Sequence, residues 1–400
     1  MKKPFILFAL AVSILLSACG GTTVSESTPL ETEVSTPAIG MDAQNKYAIF
    51  SAISFQEADG FFCGSSLADE HLYYYDKETV LSGLLCADPA CTHDSSSCGA
   101  CVKSGSSMFL YAGQRYWITN DVATDGRDFI LWQGDIGGTN QKKVKTIGFE
   151  DVILTYQPQQ YALHRGSLIF LGSADVVSGV NTGKRITLVS SPLDSTEEFT
   201  PLFDQTYSTY VNAEVRYIKD SAFLLVQEFA EAGGVIGWTV YQIDLHSGET
   251  EIRCEEHEGA SCGGFWVTDQ EEIYLATGGT ICKVENRSLT SVGTMNHSDD
   301  LVKLVDGIAI STYLQEEQRC IEIVDFSGNT IYDGKMFTAD IPGMDCDPNE
   351  YRTYSMLIVG GDSDKLIIEL TDLDSRDMES YMILLDLNNN LEPTLLWKVG

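Results

Sequence analysis

The sequence predicts an all-β fold, a single β-propeller of about seven four-stranded blades (six or eight also fit), preceded by a signal peptide and a flexible tether. Three observations predict it. From Tyr47 onward, short runs of Val, Ile, Leu, Tyr, Phe and Thr alternate with clusters of Gly, Asp, Asn and Ser. No stretch carries sustained helical periodicity with caps. One local unit recurs, an apolar strand closed by an acid, then a polar turn and a second strand.

The N-terminal elements come first. Met1-Lys2-Lys3 is a short positive region, Pro4–Leu16 is an apolar run, and Ser17-Ala18 supplies small residues before Cys19. That order is expected of an export signal over residues 1–18. The apolar run is shorter than the roughly 20 residues of a membrane span. Leu16-Ser17-Ala18-Cys19 resembles the bacterial lipobox, which implies lipidation of Cys19 and an address on the outer side of the cell membrane. Residues 20–45 are rich in Ser, Thr, Glu, Pro and Gly and lack aromatics, so 19–45 reads as the lipidated Cys and a tether, with the propeller over 46–400.

The blades follow from the recurrent unit. Its closing acids are Asp76, Asp135, Asp194, Asp244, Glu285, Asp325 and Asp386, spaced 40–61 residues apart, the size of a blade. A turn precedes each copy at a similar offset, as in Asp59-Gly60, Gly113-Gln114, Arg165-Gly166 and Asp306-Gly307. A pair of β-sandwiches is the alternative. The unit recurs without a linker-like break, which favours the propeller. The chain is expected to begin with an inner strand near Tyr47–Ile53 and end with an outer one at Thr394–Val399, with no obvious strand exchange between them.

Cysteines gather after the first unit. Cys86, Cys91, Cys98 and Cys101, with His93, give C-x4-C-x-H-x4-C-x2-C. Cys86, Cys91, His93 and Cys98 could form a tetrahedral Cys3His site for a structural zinc. Clustered cysteines in an exported chain read equally as disulfides, and both readings stay open. A weaker second cluster is Cys254, His257 and Cys262, which shares the H-x4-C spacing.

Tyr73-Tyr74-Tyr75-Asp76, Leu85-Cys86, Pro89-Ala90-Cys91, His93 and Cys98 carry a family resemblance. The chain resembles lipid-anchored β-propeller lipoproteins of Gram-positive anaerobes, in which a hairpin ending in Asp leads into a Cys…Pro-x-Cys-x-His…Cys connector. The resemblance implies a TolB-like propeller and no particular activity. Cys101 departs from the pattern and leaves a pairing with Cys63 open.

Charge bounds the partners. With 25 Lys+Arg against 58 Asp+Glu the formal charge is −33, too acidic to track a phosphate backbone, so no nucleic-acid partner is expected. Gly259-Ala260-Ser261-Cys262-Gly263 fits G-x-S-x-G, but an acidic loop precedes it and the strand-like Phe265-Trp266-Val267 follows, the wrong setting for a nucleophile elbow. No catalytic residue is assigned. The expected function is a non-catalytic binding module at the cell surface, held to the membrane by lipid on Cys19, with a glycan, a peptide or a surface protein as ligand. The alternative is an extracellular propeller hydrolase or lyase acting on polysaccharide through paired carboxylates.

Overall fold

A strand buried on both faces needs apolar residues at consecutive positions, whereas a half-exposed strand alternates. The chain contains both kinds. Ser221–Phe229 (SAFLLVQEF) and Lys365–Asp372 (KLIIELTD) are nearly continuous apolar runs, while Thr250–Glu256 (TEIRCEE) is largely polar. A computed structural model places the first two inside four-stranded sheets and the third at an outer edge. It describes residues 42–46, 54–66, 71–94, 98–101, 108–120, 129–147, 161–178, 181–194, 199–231, 233–257, 259–297, 302–341, 344, 347–350, 354–373 and 379–399. The signal peptide, Cys19, most of the tether, the expected inner strand at 47–53 and Cys346 lie outside the described residues.

Among the described residues, twenty-eight strands, β1–β28 in chain order, form seven antiparallel sheets of four consecutive strands each. This is a seven-bladed propeller. The first strand of each blade is innermost: β1 (Phe55–Ala58), β5 (Met108–Tyr111), β9 (Tyr161–His164), β13 (Tyr210–Ile218), β17 (Gly264–Val267), β21 (Lys303–Val305) and β25 (Tyr354–Gly361). Inner strands of neighbouring blades touch, β1 with β5 and β13 with β17, and β9 and β17 are buried throughout.

The recurrent unit of the sequence is the third strand of each blade, and the offset turns join first and second strands. Asp76, Asp244, Asp325 and Asp386 cap the next turn. The Asp76 Oδ1 accepts the N–H groups of Glu78 and Thr79, and the Asp244 Oδ1 accepts those of His246 and Ser247. Asp325 accepts those of Ser327 and Asn329 in the same way. This is the Asx geometry that makes Asp a turn residue.

These caps give stability a direction with pH. The N–H of Thr79 lowers Asp76 below the carboxylate value of 3.8, and that of Ser247 lowers Asp244. At Asp325 burial raises the carboxyl, but hydrogen bonds from Asn329, Ser327 and Gly328 outweigh it. A carboxyl lowered on folding contributes stability above its unfolded value, and that contribution is lost as pH falls through the folded value. Asp306 acts in the opposite sense, because burial raises it. With three caps against one, the melting temperature is expected to hold down to about pH 5 and to fall below about pH 4. Calorimetry across pH 3–8 checks this; a melting temperature that rises on acidification would contradict it.

Both terminal blades, β1–β4 and β25–β28, are built from four consecutive strands, so no strand is exchanged between the chain ends among the described residues. The seam is closed by side chains. Trp397, on β28 (Glu392–Val399), stacks on Phe55 at 5.7 Å and on Tyr73 at 6.1 Å between ring centroids. Around it Phe62, Val359, Ile367, Met382 and Leu396 form one apolar cluster. The Ser66 hydroxyl donates to the buried Glu369 carboxylate across the same seam (2.6 Å). The chain reaches the propeller earlier than the expected tether end at residue 45, since Asp42–Lys46 already bond to inner-strand ends.

Candidate metal centre

The connector from β4 (Leu81–Leu84) to β5 carries the first cysteine–histidine cluster. It is fastened on both sides. On blade 1, Leu72 N–H donates to Ala100 O (2.8 Å), and His71 pairs with Cys101 as an isolated bridge. On blade 2, Ala87 N–H donates to Gly137 O (3.1 Å), and Arg115 Nη1 donates to Gly99 O (2.7 Å). Glycine is required where the two sides meet. Gly138 has φ +82°, and a Cβ there would stand 2.3 Å from Gly99 O.

Cys86, Cys91, His93 and Cys98 converge, each offering a ligand atom, and these atoms all lie within 4.8 Å of one another. The His93 Nδ1 is 3.2 Å from the Cys98 Sγ. His93 holds a left-handed backbone conformation, φ 60°, which costs a non-glycine residue energy and recurs at constrained sites. His71 Nε2 lies 3.0 Å from His93 O and fixes that turn. Two sulphurs accept the N–H of the residue two positions on: His93 N–H donates to Cys91 Sγ (3.4 Å) and Ala100 N–H to Cys98 Sγ (3.3 Å). N–H donors aimed at sulphur favour its anionic form, the form that binds metal. At Cys86 desolvation raises the thiol, but backbone hydrogen bonds from Asp88 and Gly99 and the neighbouring Cys98 and Cys91 outweigh it, so the net shift is downward. Burial is the largest influence at Cys98 and pushes it up to about 11.

Cys86, Cys91 and Cys98 are thiols in this arrangement. The cluster can hold a metal ion, with three sulphurs and one imidazole as donors. Cys101 stays outside the four-donor set. Cys63, the partner left open for it, is a buried thiol under Leu72, Leu85 and Met108, and burial pushes its titration up to about 12.

The second cluster is not assembled. Cys254 and Cys262 are buried with Trp238, Val240 and Phe265 between blades 4 and 5. The His257 side chain is 67% exposed and faces Glu255 at 3.4 Å. Local spacing placed these residues together, but Cys254 belongs to the apolar face of β16 (Thr250–Glu256), which points away from the exposed loop. Ser261 is exposed just before the strand β17, consistent with a loop serine.

A second feature had no sequence motif. A cleft of about 1300 Å³ between blades 6 and 7 is lined by His297, Tyr313, Arg319, Asp333, Tyr354 and Met356, among others. Its residues come from a connector and four separate strands, so no spacing announces them. The Glu322 carboxylate accepts the N–H of His297 (2.8 Å) and that of Asn296 (2.9 Å), which sets the imidazole face to face with Tyr313 at 3.6 Å between centroids. The Tyr313 hydroxyl donates to Asp333 Oδ1 (2.6 Å). Burial and then Asp333 push the Tyr313 phenol well above its usual value, so it serves as a hydrogen-bonding group and not as a ready base.

No protein-family model matches the chain, and no curated protein matches it. Solved structures of similar shape include a prolyl endopeptidase (TM-score 0.49, 13% identity, 88% of this chain and 50% of that one). Others are the polysaccharide lyase Uly1 (TM-score 0.48, 11% identity, 90% and 96%) and the β-propeller domain of the Trilobed protease from Pyrococcus furiosus (TM-score 0.43, 12% identity, 88% and 97%). The chain spans about half the length of the prolyl endopeptidase.

Proposed function

We propose that this chain is a non-catalytic binding propeller displayed outside the cell, anchored by lipid on Cys19, with a structural zinc at Cys86, Cys91, His93 and Cys98. The zinc reading is carried by the convergence of three sulphurs and one imidazole within 4.8 Å. A soft, tetrahedral donor set of this kind suits zinc. All four positions are filled by side chains, which leaves no open position for a substrate and makes the role structural. Bound there, the ion would tie the connector that joins blades 1 and 2 and spare three thiols from oxidation. The lipid anchor is supported by the order Lys2-Lys3, apolar run, Leu16-Ser17-Ala18-Cys19.

The cleft between blades 6 and 7 is where we place the ligand. It offers an aromatic surface, a carboxylate and a guanidinium in one concave site, as sugar rings and peptides both use. A glycan and peptide array probed with the full chain tests this. Tyr313→Ala is expected to weaken binding of any hit by about tenfold or more, from the lost ring face and hydrogen bond. A hit that binds Tyr313→Ala as well as the parent protein would move the ligand elsewhere.

The paired-carboxylate alternative has a concrete counterpart in Asp306, raised first by burial and then by the charge of Asp362. Asp362 is bonded by Lys46 and Lys365 at 2.9 and 3.2 Å, which keeps it ionised and neutralised. That pairing favours a structural use of both acids.

A further inference from the structure

We propose that Asp42–Lys46 is a clasp that closes the propeller ring by bridging blades 3 and 4 to blades 7 and 1 across one end of the central channel. In a ring of seven blades, the seam between 7 and 1 lies opposite blade 4. Five residues can span about 15 Å, enough to cross between innermost strands.

Every residue of the segment has its own partner. Asp42 accepts from Arg165 Nε (2.6 Å) and from Lys219 N–H (3.1 Å), at the turns of blades 3 and 4. Ala43 N–H donates to His164 Nδ1 (3.0 Å), while His164 Nε2 lies 2.5 Å from Lys219 O, so one neutral imidazole links the clasp to both blades. Asn45 Nδ2 donates to Tyr217 O (2.7 Å), and Tyr217 N–H donates to Asn45 Oδ1 (3.1 Å). Gln44 treats blade 1 in the same way: its Nε2 donates to Glu57 O (2.7 Å), and Glu57 N–H donates to its Oε1 (3.0 Å). Lys46 Nζ reaches Asp362 of blade 7 (2.9 Å) and Glu57 of blade 1 (3.2 Å), and Gly361 N–H donates to Lys46 O (2.9 Å).

The physical reason lies in the inner strands. The channel-facing edge of an innermost strand has N–H and C=O groups with no neighbouring strand to pair them. A carboxamide carries both a donor and an acceptor and matches one such residue at a time. Gln44 and Asn45 do this on β1 and on β13, on opposite sides of the ring. Lys46 then shares Glu57 and Asp362 with Lys365, which lies 3.4 and 3.2 Å from the same two acids. Terminal blades that exchange no strand among the described residues thus receive a tie from the chain itself.

The test uses the full chain carrying Asn45→Ala with Lys46→Ala, Lys46→Arg alone, and Lys142→Ala as a control, an exposed residue on the outermost strand of blade 2. The double variant is expected to melt about 3–6 °C lower and to exchange amide hydrogens about tenfold faster in β1 and β25, with blade 5 (Gly264–Thr294) unchanged. Lys46→Arg should retain closure, and the control should match the parent. A melting temperature within about 1 °C of the parent, or faster exchange spread equally over all blades, would overturn the proposal.

Discussion

Replacing Cys91 by Ser or His93 by Ala is expected to reduce bound zinc from about one per chain to about none, because a closed tetrahedral site loses a quarter of its donors. The loss should also be felt in stability. The connector between blades 1 and 2 has no strand of its own and depends on Leu72, Gly137 and Arg115 for its backbone contacts. Without the ion no coordinate bond ties Cys86, Cys91, His93 and Cys98 to one another, and metal binding free energy at such a site is folding free energy. A fall in melting temperature of about 4–8 °C follows for a chain of this size, measured by calorimetry under reducing conditions. Cys101→Ser is the informative comparison, since Cys101 lies outside the donor set and should leave the zinc in place.

The second large effect is expected at the seam. Trp397 is 2% exposed, stacked between Phe55 and Tyr73, and packed with residues of both terminal blades. Trp397→Ala removes a buried aromatic whose truncation typically costs about 3–5 kcal/mol. Relaxation could reduce that cost at many sites, but here two independent sheets would have to approach each other. The neighbouring blades hold them at the spacing that the other six seams require. We therefore expect the upper part of the range, or about 5 °C in melting temperature. Trp397→Phe should recover more than half of it. An alanine variant as stable as the parent would show that closure rests elsewhere.

Much of the architecture was legible in the sequence, and particular residues explain why. The seven closing acids were visible because each ends or closely follows an apolar third strand, and Asp76, Asp244, Asp325 and Asp386 cap the turn that follows. The first cluster was visible because Cys86, Cys91, His93 and Cys98 lie within thirteen consecutive residues, so a single loop can fold them together. The same reasoning failed for Cys254, His257 and Cys262. Their spacing resembles the first cluster, but β16 continues through Glu256 and commits the Cys254 side chain to the core. The cleft was not legible, since His297, Tyr313, Arg319 and Asp333 meet only after blades form. Nor was the clasp. Asp42–Lys46 has the polar composition of a tether, and its purpose depends on strand edges contributed by Glu57 and Tyr217.

A connector stapled by zinc in place of disulfides is distinguished by native intact-mass measurement of the unreduced protein. The expected species is heavier than the polypeptide by one zinc ion less the protons released by its thiolates, and it reverts to the polypeptide mass in acid. A protein lighter by two hydrogens for each disulfide, with no bound metal, would contradict it.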